Sequence, residues 1–168
     1  ALIIPAGTTL DLNGLHFYAR AVQQAGTVVG GEITQIADSG AISWAVSTPG
    51  AIAVSGQLDE WTFFAQSGRQ VTVVVNPGAS GSNPAISPQL QRVEVSLVGP
   101  NNTVLSTVSN TNNGDPVTLA GIPIAADGTY AIRIRGIGAA SGNYTVAIWD
   151  ATPDVVSTSL NETTFGAI

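Results

Sequence analysis

Three sets of residues have the types needed for chemistry. The adjacent acids Asp59 and Glu60 stand directly before the aromatic run Trp61-Thr62-Phe63-Phe64, and carboxylates are the side chains that ligate calcium. On an extended chain they point to opposite faces, so they cannot work together as acid and base across one cleft. Calcium requires roughly six to eight oxygen ligands, and residues 41–58 contain no further acid. Capping and solvating a strand edge is the simpler expectation for the pair. Asp11-Leu12-Asn13-Gly14 begins like an EF-hand loop but lacks the closing acid. No cofactor is therefore expected, and calcium at Asp59 and Glu60 is the one metal reading to test.

His16 is the single histidine, and no Gly-x-Ser-x-Gly turn accompanies it, so a serine-type triad has no second member. A solvated or hydrogen-bonded His16 beside Leu15 and Phe17 is expected, and no catalytic residue is assigned. The third set is aromatic and basic. Trp149 and Phe64 fall on outward positions, and alternation turns Arg133 and Arg135 outward on what reads as the same sheet face as Trp149. Exposed rings stack on the apolar faces of sugars while arginines supply hydrogen bonds, so these four residues form a candidate polysaccharide platform. The competing reading has Trp149 covered by the first 40 residues or by the C-terminal tail.

Elements that must position these groups are legible from composition and pattern. The 168 residues, with 19 Gly and only 10% charged side chains, amount to one domain or a domain with a short appendage. There is no Cys and no Lys, which excludes disulfides, thiolate metal sites and lysine-based isopeptide links. A net charge of -6 provides no electrostatic footprint for nucleic acid or an anionic membrane. No apolar run reaches the length of a membrane span, and no charged and apolar leader opens the sequence, so a mature or excised soluble piece is expected. Low charge with abundant Thr, Ser, Gly and Asn suits a secreted or cell-surface protein. The mean hydropathy of +0.29 suggests that a neighbour covers some apolar surface.

Short runs rich in Val, Ile, Thr and aromatics recur between clusters of Gly, Pro, Asn and Ser, so the chain reads as all-β. Strands are expected at 41–46, 60–65, 71–75, 92–98, 104–108, 117–119, 129–135 and 144–149. Gly and Asn supply positive φ at turns such as Gly99-Pro100-Asn101-Asn102 and Asp127-Gly128. This spacing indicates an antiparallel β-sandwich, jelly-roll-like in character. Tyr130, Ile132 and Ile134 should face the core, as should Tyr144, Val146 and Ile148, with Thr145, Ala147 and Trp149 outward. Trp44, Trp61 and Phe63 are further core candidates.

Ala6-Gly7-Thr8 and Ala25-Gly26-Thr27 echo each other, each followed by spaced aliphatic residues. Residues 1–40 are thus a β-rich segment, either the closing coils of a β-solenoid or a plain meander. Residues 41–154 form the sandwich. Residues 155–168 are a tail or linker, or the first strand of a following repeat, because Gly166-Ala167-Ile168 echoes Gly50-Ala51-Ile52.

The ordered run Gly50-Ala51-Ile52, Asp59-Glu60-Trp61-Thr62-Phe63, Ser67-Gly68 and Val71-Thr72-Val73 resembles the bacterial pre-peptidase C-terminal (PPC) domain. So do Val95-Ser96-Leu97 with Gly99-Pro100-Asn101-Asn102-Thr103-Val104-Leu105, and the two Gly-x-Tyr strands Gly128-Thr129-Tyr130 and Gly142-Asn143-Tyr144. The resemblance covers about residues 41–150. It implies a jelly-roll-like sandwich attached to secreted hydrolases or adhesive proteins, serving attachment, targeting or spacing. Some members of the family bind calcium through carboxylates near the aromatic strand, where Asp59 and Glu60 match; others bind collagen or polysaccharide. The expected function is a non-catalytic extracellular module of a larger secreted or surface protein. Its expected partners are a polysaccharide or cell-surface polymer, neighbouring domains or identical subunits. The alternative is a structural protomer that builds a filament by edge-strand addition through its tail.

Overall fold

The computed structural model describes residues 2–19 and 22–154, all strand, turn or loop. The tail at 155–168, on which the strand-exchange expectation rests, lies outside the described residues. At the N-terminal end, β1 (Leu2–Ile4), β2 (Thr9–Asp11) and β3 (His16–Ala19) make one coil, and β4 (Val22–Gln24), β5 (Thr27–Val29) and β6 (Glu32–Gln35) make the next. Each strand of the first coil pairs in parallel with its counterpart: Leu2 faces Val22, Thr9 faces Thr27 and His16 faces Glu32. Parallel pairing selects the solenoid-like reading, since a meander pairs antiparallel. The repeat is offset from the sequence echo, because the ladder sets Thr9, not Thr8, against Thr27. Gly26 sits where the coils approach closely, and a Cβ there would lie 2.5 Å from the Pro5 carbonyl oxygen.

The remaining strands form a two-sheet sandwich. They are β7 (Ser39–Ala41), β8 (Thr48–Ile52), β9 (Leu58–Ala65), β10 (Gln70–Asn76), β11 (Val93–Val98), β12 (Val104–Ser109), β13 (Val117–Pro123), β14 (Gly128–Gly136) and β15 (Gly142–Asp150). One sheet has the order β13-β10-β15-β8, and the other β12-β11-β14-β9-β7. Pairing is antiparallel except for β7 against β9. From β8 onward nearly every connection crosses between the sheets; only β11 and β12 form a hairpin within one. In that hairpin Asn102 takes the left-handed conformation (φ 59) and its N–H reaches the Gly99 carbonyl at 3.0 Å.

The core lies between the sheets and follows strand alternation. Trp61, Phe63, Val71, Val73, Val95, Leu97, Tyr130, Ile132, Ile134, Tyr144, Val146 and Ile148 are all buried in one cluster. Fully burying a side chain such as Ile132 contributes about 1.5–3 kcal/mol, so this two-period row dominates the stability of the sandwich.

Several expectations are corrected. No strand runs through 41–46: Ala45 adopts φ 58, which breaks the alternation, and only Ile42 of the expected inward set is buried. Trp44 is 38% exposed and meets the core only edge-on, against Phe63 at 5.4 Å. Thr48-Pro49-Gly50, whose Pro-Gly pair is a turn signal by composition, instead begins the edge strand β8. An edge has a free side on which proline's missing N–H is harmless. Ala147, expected outward, is buried on β15, a strand with a partner on each side.

Candidate binding cleft and the buried carboxylate

Asp59 continues the inward row of Trp61 and Phe63 on β9, and its side chain sits inside the sandwich. This corrects the expectation of a solvated strand-edge acid: the same period-two rule that buries Trp61 buries the residue two before it. Burial without a cation is costly unless donors replace water. Here the Tyr144 hydroxyl donates to Oδ2 at 2.6 Å, the Gln57 amide donates to Oδ1 at 2.7 Å, and the Asp38 N–H donates to Oδ1 at 3.0 Å. Trp61 Nε1 in turn donates to the Tyr144 oxygen at 2.9 Å. Burial, the largest influence, pushes the Asp59 carboxyl above its ordinary value, against the lowering effect of these hydrogen bonds. Tyr144 is held well above the usual phenol range by burial and then by the Asp59 charge.

Glu60 points outward, where its Oε2 accepts from Arg133 Nε at 2.8 Å. The two acids thus occupy opposite sides of one sheet. Among the described residues no group of three or more His, Asp or Glu side chains comes together around a point where an ion could sit. His16 is hydrogen-bonded to the Thr34 hydroxyl at 2.6 Å and stacked on Tyr18.

The outward aromatic and basic residues are regrouped. Arg133 and Arg135 lie on β14 in the five-stranded sheet, whereas Trp149 lies on β15 in the other sheet. The expected shared face between Trp149 and the two arginines is therefore wrong, because consecutive strands here alternate between sheets. Arg133 and Arg135 are engaged with Glu60 and Glu94. Phe64, also on the five-stranded sheet and 58% exposed, instead borders the same cleft as Trp149.

That cleft encloses about 560 Å³ near the β9–β10 turn. Segment 42–45 crosses from one sheet to the other, because Ile42 bonds to Thr62 on β9 and Ala45 to Ile148 on β15. It thereby brings Trp44 beside Phe64 and Trp149. All three rings are partly open to solvent. The rim carries Arg69, whose Nη1 donates to Asp150 Oδ2 at 2.9 Å. Asp150 is held below the ordinary carboxylate value, first by the Thr152 hydroxyl, then by its N–H and by Arg69. Sequence reasoning missed Trp44, Arg69 and Asp150 as members of this cleft. The signal for Arg69 was weak, a lone base after Ser67-Gly68, and Trp44 matched a core pattern that a single left-handed residue interrupts.

Fold and cleft define a two-sheet β-sandwich module with a two-coil parallel stack at its N-terminal end and an open cleft bordered by aromatic rings. No family model and no curated protein sequence matches the chain. Among solved structures it is similar to the pre-peptidase C-terminal domain of a collagenase from Bacillus anthracis, with 12% identity over 68% of this chain and 98% of that one and a TM-score of 0.47. It is also similar to PliG from Aeromonas hydrophila, a periplasmic inhibitor of g-type lysozyme, with 16% identity over 66% of this chain and 96% of that one and a TM-score of 0.41.

Proposed function

We propose that this chain is a non-catalytic module working outside the cytoplasm, which attaches or spaces a larger protein and holds polysaccharide in the cleft bordered by Trp44, Phe64 and Trp149. The observation that carries this reading is the convergence of three partly exposed rings from different parts of the chain on one cleft, with a polar ion pair at its rim. Apolar ring faces take up the CH face of a pyranose, and the Arg69–Asp150 pair offers donors and acceptors to its hydroxyls. The pair is internally neutral, which favours uncharged sugars over polyanions. The absence of Lys, the low charge, the abundant Thr, Ser, Gly and Asn and the ordered PPC-like motifs support an extracellular attachment role.

Retention on insoluble cellulose, chitin and xylan tests it. Trp149→Ala and Phe64→Ala are each expected to lower retention about fivefold, since loss of one stacking ring removes on the order of 1 kcal/mol. Unchanged retention in both variants, or none by the parent chain on any of the three polymers, defeats the polysaccharide reading.

A further inference from the structure

The two N-terminal coils are stacked strand on strand, and each of their six strands has a single ladder partner among the described residues. The second coil leads directly into the sandwich and is fastened there. Gln23 on β4 donates to the Ser87 carbonyl, Val22 borders a crevice with Ile52 and Pro88, and the Asp38 carboxylate accepts from the Ala51 N–H at 2.7 Å. The first coil is on the far side of the second. Its strands β1, β2 and β3 therefore each keep one unpaired edge, with N–H and C=O groups directed along the stack axis.

Side chains at this end match an interrupted stack. Inward residues form columns in register: Leu2 over Val22, Leu10 over Val28 and Phe17 over Ile33. Ile4 and Leu12 are buried, but Phe17 is 43% exposed. Phe17 lies on the inner side of β3, because the rings of His16 and Tyr18 stack on each other at 4.5 Å on the opposite side. An inward aromatic ring left wet is the mark of a column lacking its next layer.

We infer that the free edges of β1, β2 and β3 are together the seat for one further coil of the same parallel stack, contributed by polypeptide joined ahead of Leu2. Only a coil with the same three-strand outline meets all three edges at once, and it carries aliphatic residues over Leu2, Leu10 and Phe17. β3 ends at Ala19 and β4 begins at Val22, so a coil seated in the same sense ends its third strand close to Leu2. A second copy of this chain fits poorly: a twofold sets the meeting strands antiparallel and breaks the in-register columns.

Placing a copy of residues 2–21 directly ahead of Leu2 tests the seat. Amide hydrogen exchange in β1–β3 is expected to slow at least about tenfold in the extended chain, which stays monomeric, while β9 and β14 are unchanged. An extension of the same composition in scrambled order is expected to give no protection. Phe17→Ser is expected to leave the unextended chain nearly unaffected and to remove the protection from the extended one. Equal protection by both extensions, protection by neither, or a concentration-dependent dimer of the unextended chain that already shields β1–β3 would overturn the proposal.

Discussion

The Tyr144 hydroxyl on β15 donates a 2.6 Å hydrogen bond to the Asp59 carboxylate on β9, joining the two sheets across the buried space between them. Trp61 Nε1 completes the chain by donating to the same hydroxyl oxygen. A polar link in a dry interior gains directionality that aliphatic packing lacks, and it fixes the register of one sheet over the other.

Removing the link should be costly. Tyr144→Phe deletes one donor to Asp59 and leaves Trp61 Nε1 without its acceptor, so a loss of about 1–3 kcal/mol is expected from urea unfolding. Glu60→Gln, which breaks a partly solvated pair with Arg133, should change stability by less than about 1 kcal/mol. Similar losses for both variants would contradict the buried network.

Acid dependence should carry the signature of Asp59. Its folded pKa lies above the ordinary 3.8, so between 3.8 and that higher value the native state binds more protons than the unfolded chain. Stability from this group accordingly falls as pH rises through that window and is level above it. Asp150 acts in the opposite sense and in a separate window: its folded pKa lies below 3.8, so its contribution is present above 3.8 and is lost as pH drops through the folded value. Urea midpoints measured from about pH 4 to pH 7 should show the Asp59 slope in the parent chain and lose it in Asp59→Asn. A slope that survives the substitution would assign it elsewhere.

Gly50 lies against the face of Tyr144, and a Cβ there would come within 2.4 Å of the ring. Gly50→Ala should therefore push the ring off the Asp59 carboxylate and destabilise the fold by about 1–3 kcal/mol. Near-ultraviolet circular dichroism is expected to change with it, because Trp61 shares the network. Ala at this position with parent-like stability would mean that β8 shifts freely.

Calcium should have little to bind at the acid pair. Both Asp59 oxygens already accept protein donors and Glu60 faces away. Thermal midpoints in millimolar calcium and in a chelator are expected to agree; a calcium-dependent rise of several degrees would refute this.

Much of the sandwich is readable from short stretches. Tyr130-Ala131-Ile132-Arg133-Ile134-Arg135 announces its own two faces, and the structure buries Tyr130, Ile132 and Ile134. Asp59 was equally readable by the same period, but a carboxylate two places before Trp61 conflicts with the rule that charge stays wet. Its donors come from distant positions such as Tyr144 and Asp38, which no local window contains. Trp44 failed for a different reason: one left-handed residue, Ala45, turns the chain out of strand geometry.

Sequence alone determined the all-β class and the inward rows of β9, β14 and β15, because alternation is a property of two or three neighbouring residues. Tertiary structure decided which sheet each strand joined. That choice placed Trp149 away from Arg133 and Arg135 and beside Phe64 and Trp44. The physical reason is range: side-chain direction follows from local backbone geometry, whereas sheet membership depends on hydrogen bonds and packing between segments far apart in the chain.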